Sequence, residues 1–347
     1  MPIEYPFGNV PEYGEPDQVA RGIWRVRLPM HPPLKAVNIY LMADGDGLSI
    51  VDTGLNNDAT RQVWEQLARG FLATRRPTRL LLTHHHPDHA GLLRWLCERW
   101  NLPYQMTSAE QERLLPGARQ AGSQDADGRM LRAGVPDEVI HWRRAAPHKP
   151  ESEPAGLPPT EWLPMAGGEQ VRIGQDDWEV IEGAGHTPGH ASLFCASRRL
   201  LISGDQVLPR VHASLDTWGG LPPDGLLQRW LDSFARLQSL PQDTLVFPSH
   251  NEPFLGLHTR LDEMTAYHEG RLRTMLEMCA QQPHSVWDIV DATSALGQTS
   301  HALYLSCGTV AAGLDLLAAR GLARRETDAD GIERWRPTAG APANPGL

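Results

Sequence analysis

The chain is poor in cysteine: four in 347 residues, Cys97, Cys195, Cys279 and Cys307, far apart and without a CxxC pair. That excludes a disulfide frame or a thiolate metal site and leaves buried free thiols as the reading. Positive charge is also scarce. Lys and Arg number 32 against 42 Asp and Glu, a formal net charge of −10, which excludes a broad basic face for nucleic acid because non-specific affinity for phosphate backbones comes mainly from Lys and Arg. No Gly-x-Ser-x-Gly elbow occurs, so a serine route has no support. The reading finds no apolar run approaching the roughly 20 residues needed to cross a bilayer. Residues Met1 to Gly8 carry neither the basic start nor the apolar stretch of a secretory signal. The expectation is therefore a soluble, cytoplasmic protein with no membrane partner. Hydrophobic content of 41% supports a core, and the length suits one large catalytic domain plus a small one.

Against these absences stands one dense cluster, Thr83-His84-His85-His86-Pro87-Asp88-His89-Ala90-Gly91. An extended segment puts His84 and His86 on the same side, and Pro87 can open a helix that brings Asp88 and His89 around to the same volume. A solvated histidine tract or a tag would not sit between an apolar strand-like segment, Leu80-Leu81-Leu82, and a helix-like one with Leu92, Leu93, Trp95 and Leu96. His85 projects the other way on an extended strand and reads as structural.

The surrounding pattern is α/β. Strand-like runs occupy Ile23 to Leu28, Val37 to Met42 and Leu48 to Val51, the last two joined by Asp44-Gly45-Asp46-Gly47 as a hairpin turn. A helix around Ala59 to Leu67 precedes the strand that leads into the histidines. A second β-rich stretch covers Glu169 to Ile173, Trp178 to Glu182, Ala191 to Ala196 and Leu200 to Ser203, then a helix from about Leu226 to Leu237 and a strand from Thr244 to Phe247. From Gly256 onward the texture turns helical: Leu257 to Cys279, Val286 to Thr293 and Gly308 to Ala319, followed by two short runs flanking the turn Asp328-Ala329-Asp330-Gly331. Three helices and a hairpin describe a winged-helix-like module.

A single histidine cluster would leave metal ions under-coordinated, and further candidates stand at other strand ends. His186 lies in Gly185-His186-Thr187-Pro188-Gly189-His190, Asp205 follows Ser203-Gly204, and His250 follows Pro248-Ser249. Each sits beside a small or turn residue where a strand gives way to a loop, the usual place for chemistry in α/β enzymes. Alone, Asp205 reads as a helix cap and His250 as a loop histidine; the recurrence is what makes them candidates.

Together with Val51-Asp52-Thr53-Gly54, these five segments in this order resemble the pattern of the metallo-β-lactamase superfamily over about residues 20 to 255. The resemblance implies an αββα sandwich for residues 1–255 and a small, mostly helical winged-helix domain at 256–347; within the first, 114–168 is rich in Pro and Gly and reads by composition as a candidate lid insertion. It implies one metal held by His84, His86 and His186, a second held by Asp88, His89 and His250, and Asp205 bridging the two. Asp52 would orient a ligand imidazole through its outer N–H, and His190 is read as support. An all-nitrogen-and-oxygen set suits zinc, with manganese and iron as competitors. The implied chemistry is hydrolysis by a metal-bridging hydroxide, with Asp88 and Asp205 as catalytic carboxylates.

The substrate is read as a small acyl compound, an ester or thioester. One rival is a phosphodiesterase or endoribonuclease, because the tail resembles the winged-helix domain of the β-lactamase-like 2 branch, some of whose members cut single-stranded RNA. Yet Ser285 to Arg320 holds one Arg, no Lys and the aspartates Asp288, Asp291 and Asp315, a poor surface for phosphates; packing or homodimerisation is the job expected of it. The other rival is a mononuclear iron enzyme of the persulfide-dioxygenase branch. The oxygen-reducing diiron branch is disfavoured because position 86 is histidine rather than glutamate. In the candidate lid, His141-Trp142-Arg143-Arg144 and His148-Lys149 form a small basic and aromatic group that reads as a solvated loop, with an anionic substrate arm as the alternative.

Overall fold

A computed structural model of the chain describes residues 1–340 apart from 9, 32–33, 116–124, 146–156, 159, 216–217, 219–224 and 296–297. The first of two large sheets has seven strands in chain order: β1 (Asp17–Ala20), β2 (Ile23–Pro29), β3 (Ala36–Asp44), β4 (Gly47–Val51), β5 (Pro77–Leu81), β6 (Tyr104–Thr107) and β7 (Trp162–Met165). Its first four strands pair antiparallel and the rest parallel. The second sheet holds β8 (Gln170–Ile173), β9 (Asp176–Gly183), β10 (His190–Cys195), β11 (Leu200–Gly204) and β12 (Leu245–Pro248), in the order β12-β11-β10-β9-β8. Only β11 and β12 run parallel there.

Side-chain alternation explains the layering. On β3, Val37, Ile39 and Leu41 point into one apolar cluster while Tyr40 and Met42 point into another, the two-residue period of a strand. Tyr40, Met42, Val51 and Leu81 meet Val180, Leu193, Ile202 and Phe247 of the facing sheet. Trp64, Leu67, Leu93 and Leu96 of α1 (Asp58–Arg69) and α3 (Leu93–Trp100) cover the outer face of the first sheet. The outer face of the second, with Ile181, Phe194, Leu201 and Val246, is covered by α7 (Leu226–Gln238) and α8 (Leu257–Gln281). The result is the expected helix–sheet–sheet–helix sandwich. Both faces of each sheet are buried, so the strands read as apolar runs rather than clean alternations.

The short helices are α2 (Pro87–Ala90), opened by Pro87 at its first turn as expected, and α4 (Ser108–Leu114). Residues 114–168 are less irregular than their Pro and Gly content suggests. They include α5 (Ala126–Arg132), α6 (Asp137–Ala145) and β7. Met130, Val139 and Ile140 pack into the same cluster as Cys307, Val310 and Leu314, and Trp287 N donates to Ala133 O at 3.1 Å. His141 to Arg144 therefore lie on a helix and not in a solvated loop: Trp142 stacks on His301 at 4.7 Å between ring centres, and Arg143 and Arg144 both pair with Asp127. Pro147 to Pro154, including His148 and Lys149, lie outside the described residues.

The tail continues with α9 (Val286–Thr293), α10 (Ser300–Ala319) and the hairpin of β13 (Ala323–Thr327) and β14 (Glu333–Pro337). Helix α10 starts at Ser300, capped by Thr299 Oγ1 accepting from Ala302 N at 3.2 Å, rather than near Gly308. Its glycines are interior because α8 passes close by: a Cβ on Gly313 would stand 2.8 Å from Met275 Sδ. At 20 residues and a mean hydropathy of 1.5, α10 is long and apolar enough to cross a bilayer by length and composition, contrary to the sequence reading. In this fold Val310, Leu314, Leu316 and Leu317 are buried instead against the insertion and α8.

Because one apolar cluster joins the insertion, the second sheet and the tail, Leu314→Ala is expected to lower stability by about 2–5 kcal/mol. It should also leave a single unfolding transition, checked by calorimetric melting; two separated transitions would contradict the shared core.

Candidate metal centre

The residues singled out at strand ends converge at one edge of the sandwich. Asp52 follows β4, His84 to His89 follow β5, His186 lies in the β9–β10 turn, and Asp205 and His250 follow the parallel pair β11 and β12. The backbone locks the two sheets together here: Ala191 N donates to Thr83 O at 2.8 Å, Asn38 N to Ser249 O at 2.7 Å and Tyr40 Oη to Pro248 O at 2.7 Å.

All seven expected ligands come together, in three overlapping groups whose ligand atoms lie within 4.8 Å of one another: His84, His86 and His186; Asp88, His89 and His250; and His84, His89 and Asp205. Asp205 stands between the first two. Its Oδ2 is 3.5 Å from both His186 Nε2 and His89 Nε2, and its Oδ1 is 3.5 Å from His250 Nε2. Asp88 Oδ2 is 3.4 Å from His89 Nε2 and 3.3 Å from His250 Nε2.

Hydrogen bonds behind the rings decide which nitrogen faces inward. His186 Nδ1 donates to Ser214 O at 2.7 Å and His250 Nδ1 to Ala36 O at 2.9 Å; a carbonyl only accepts, so Nδ1 of each ring carries a proton and Nε2 is the atom turned to the cluster. His89 Nδ1 donates to Asp52 Oδ2 at 2.8 Å. Thr83 Oγ1 donates to the same carboxylate at 2.8 Å and accepts from His84 Nδ1 at 3.0 Å. His190 is in none of the three groups. Its Nε2 accepts from Asp205 N at 3.0 Å, and this close approach requires glycine at 204, where a Cβ would fall 2.3 Å from that nitrogen.

Four inward atoms, His84 Nε2, His89 Nε2, His186 Nε2 and Asp205 Oδ1, are buried with no hydrogen-bond partner. Orphaned lone pairs of this kind are costly unless something else satisfies them, and a divalent cation fits the donor set. The charges agree. Burial and the neighbouring imidazoles push His84 and His86 well below the usual histidine range. Burial also opposes the charged forms of Asp88, Asp205 and His250. It is outweighed: His89 and His250 hold both carboxyls far down, while Asp205 and Asp88 lift His250 to about 10.

Sequence reasoning missed Glu110. Thr107 followed three residues later by Glu110 reads as a helix-capping pair, and Thr107 Oγ1 does cap Glu110 N at 3.4 Å. The fully buried Glu110 carboxylate turns elsewhere. Oε2 takes His85 N at 2.9 Å and the His85 ring at 2.5 Å, and Oε1 takes Gly189 N at 2.8 Å. It therefore ties the His84–His89 loop to the His186 turn. Burial raises its pKa, but His85 and the donors hold it at about 2. His85 pointing away from the cluster was the one signal for such a partner.

A model of the metallo-beta-lactamase superfamily matches residues 32–250, a span holding every residue of the centre. The chain belongs to the metallo-beta-lactamase superfamily. Within that superfamily it is similar to the crystal structure of a beta-lactamase domain protein from Burkholderia ambifaria, with 32% identity, 97% of this chain and 98% of that one covered, and a TM-score of 0.88. It is 24% identical over 305 residues to the probable metallo-hydrolase YqjP of Bacillus subtilis, covering 85% of this chain and 91% of that protein. To a hydroxyacylglutathione hydrolase of Cereibacter sphaeroides it is 28% identical over 221 residues, 63% of this chain and 67% of the relative.

Two outcomes are expected. His250, held protonated in the metal-free chain by a pKa of about 10, must give up its Nε2 proton to bind a cation. Metal binding at pH 7 to 8 then releases protons and tightens as pH rises; titration calorimetry in buffers of different ionisation enthalpy should show it, and buffer-independent heats would contradict it. Glu110→Ala, which strands His85 N and Gly189 N, should lower stability by about 1–3 kcal/mol for each buried donor left without a partner, measured by denaturant unfolding.

Proposed function

We propose that this superfamily hydrolase holds two divalent metal ions, zinc by default, and cleaves a small acyl substrate, an ester or thioester. The observation that carries the reading is the pair of three-residue groups, His84–His86–His186 and Asp88–His89–His250, with the Asp205 carboxylate within 3.5 Å of one histidine from the first and both from the second. Divalent ions in such a site supply a Lewis acid for the substrate carbonyl and bring the pKa of water from 15.7 to about 7.

The side chains do the rest. His84, His89, His186 and His250 are oriented by the outer partners of their Nδ1 atoms, and Asp205 spans the two groups. Asp88, held ionised by His89 and His250, cannot store a proton near neutral pH; its work is to accept a hydrogen bond from the attacking water and aim it. Similarity to the Cereibacter sphaeroides hydroxyacylglutathione hydrolase supports a thioester as the substrate class. Residues 256–347 form the proposed winged-helix tail, whose role here is packing or homodimerisation. Its described charges are largely spent on one another: Arg334 pairs with Asp288 and Asp328, Arg325 with Glu333 and Arg336 with Glu326. That leaves a weak case for nucleic acid.

The test is elemental analysis of protein purified without chelators, with hydrolysis assays on a thioester, a lactone, a phosphodiester and single-stranded RNA. Two equivalents of zinc or manganese with acyl cleavage is the expected result. One iron with no hydrolysis would sink the reading and favour the oxidative branch; RNA cleavage would favour the nuclease. Asp88→Asn should lower kcat by about 10²-fold or more and leave one equivalent of metal.

A further inference from the structure

We infer that Arg260, on the tail helix α8, is a positioning residue for the metal centre, acting through the backbone of residues 205–214. The inference rests on the ligand assignment proposed above. This stretch begins at Asp205 and ends at Ser214, whose carbonyl orients His186. It contains no helix or strand, so its carbonyls must find donors elsewhere. Val207 O accepts from Ser203 Oγ at 2.8 Å. The next two struts come from one side chain: Arg260 Nε donates to Leu208 O at 2.6 Å and Arg260 Nη2 to Val211 O at 2.9 Å.

Arg260 is 5% exposed, and its third nitrogen, Nη1, meets Glu263 at 3.2 Å. Two carbonyls three residues apart need the fixed fork of a guanidinium; an ammonium has no such geometry. Helix α8 adds a second contact seven residues on, where the His212 ring stacks on Tyr267 at 3.8 Å and 12°. The sequence of holds runs from Asp205 N on His190, through Ser203 and Arg260, to Ser214 O under His186. Removing Arg260 frees the middle of a segment whose two ends set a shared carboxylate and a ligand imidazole. Metal affinity depends on such orientation, with outer partners commonly worth 10–100-fold.

The test uses the full-length chain, stripped of metal and titrated with cobalt(II) against a chromophoric chelator. Wild type, Arg260→Met and Leu314→Ala are compared, the last as a destabilised control that makes no hydrogen bond to the stretch. We expect wild type to bind two ions. Arg260→Met should bind cobalt at His84, His86 and His186 about tenfold or more weakly, with an altered visible spectrum, while Leu314→Ala keeps wild-type affinity and spectrum. Unchanged affinity and spectrum in Arg260→Met would overturn the inference. So would equal weakening in Leu314→Ala, since that would mean a merely structural role. Failure of wild type to bind two ions would sink the ligand assignment and the inference with it. If Arg260→Met does not fold, Arg260→Lys, which keeps the charge and loses the fork, carries the same comparison.

Discussion

Asp52 accepts three buried hydrogen bonds within a few ångströms of where the two sheets meet: from Thr83 N, from Thr83 Oγ1 and from His89 Nδ1. The first pins the start of the histidine loop to the end of β4. Through the second, the Thr83 hydroxyl is turned so that its oxygen accepts from His84, and the third aims His89. One carboxylate thus sets two imidazoles, His84 and His89, that share one three-residue group with Asp205 and otherwise belong to one of the other two groups each. It does so from the left-handed backbone region, φ 63°, which non-glycine residues seldom occupy; the short aspartate side chain tolerates it better than most. Remove the network and the candidate ligands His84 and His89 lose their shared anchor.

The centre was legible in the sequence because its constraints are local or sit at strand ends. His84, His86, Asp88 and His89 fall within six residues, and His186, Asp205 and His250 each follow an apolar strand that periodicity finds. Asp52 and His190 were also read as support, but the rest of what holds the centre was not legible: Glu110 and Arg260 act through backbone atoms 79 and 52 positions away, at Gly189 and Leu208. No pattern within a segment records such partners. Strands β1, β6 and β7 were passed over for a different reason. At four residues each, they have too little length for a period to show. The insertion misled because proline and glycine mark its ends while two short helices occupy its described middle.

The electrostatics of the centre are self-opposing without a cation. Burial drives the imidazoles toward neutrality, two carboxylates pull some of them back to protonation, and four polar atoms have no partner. A region arranged this way gains little as a folded core. Its cost is carried by the apolar layers on either side, where Trp64 and Trp230 are wholly buried. The site lies at the edge of the sandwich, where the strands end and the hydrophobic layers have already closed, so polar strain there does not spread into them.

The cluster that runs from Met130 through Phe194 and Trp230 to Leu317 and Trp335 belongs equally to the insertion, the second sheet and the tail. A sequence change at any of these surfaces is felt by the other two, so the three cannot drift independently over evolutionary time. Swapping the tail for that of another superfamily member would require matched changes on α7 and in the insertion, and a chain cut at residue 255 would uncover the part of this cluster that the tail now closes. The tail is part of the same core as the second sheet rather than a detachable accessory.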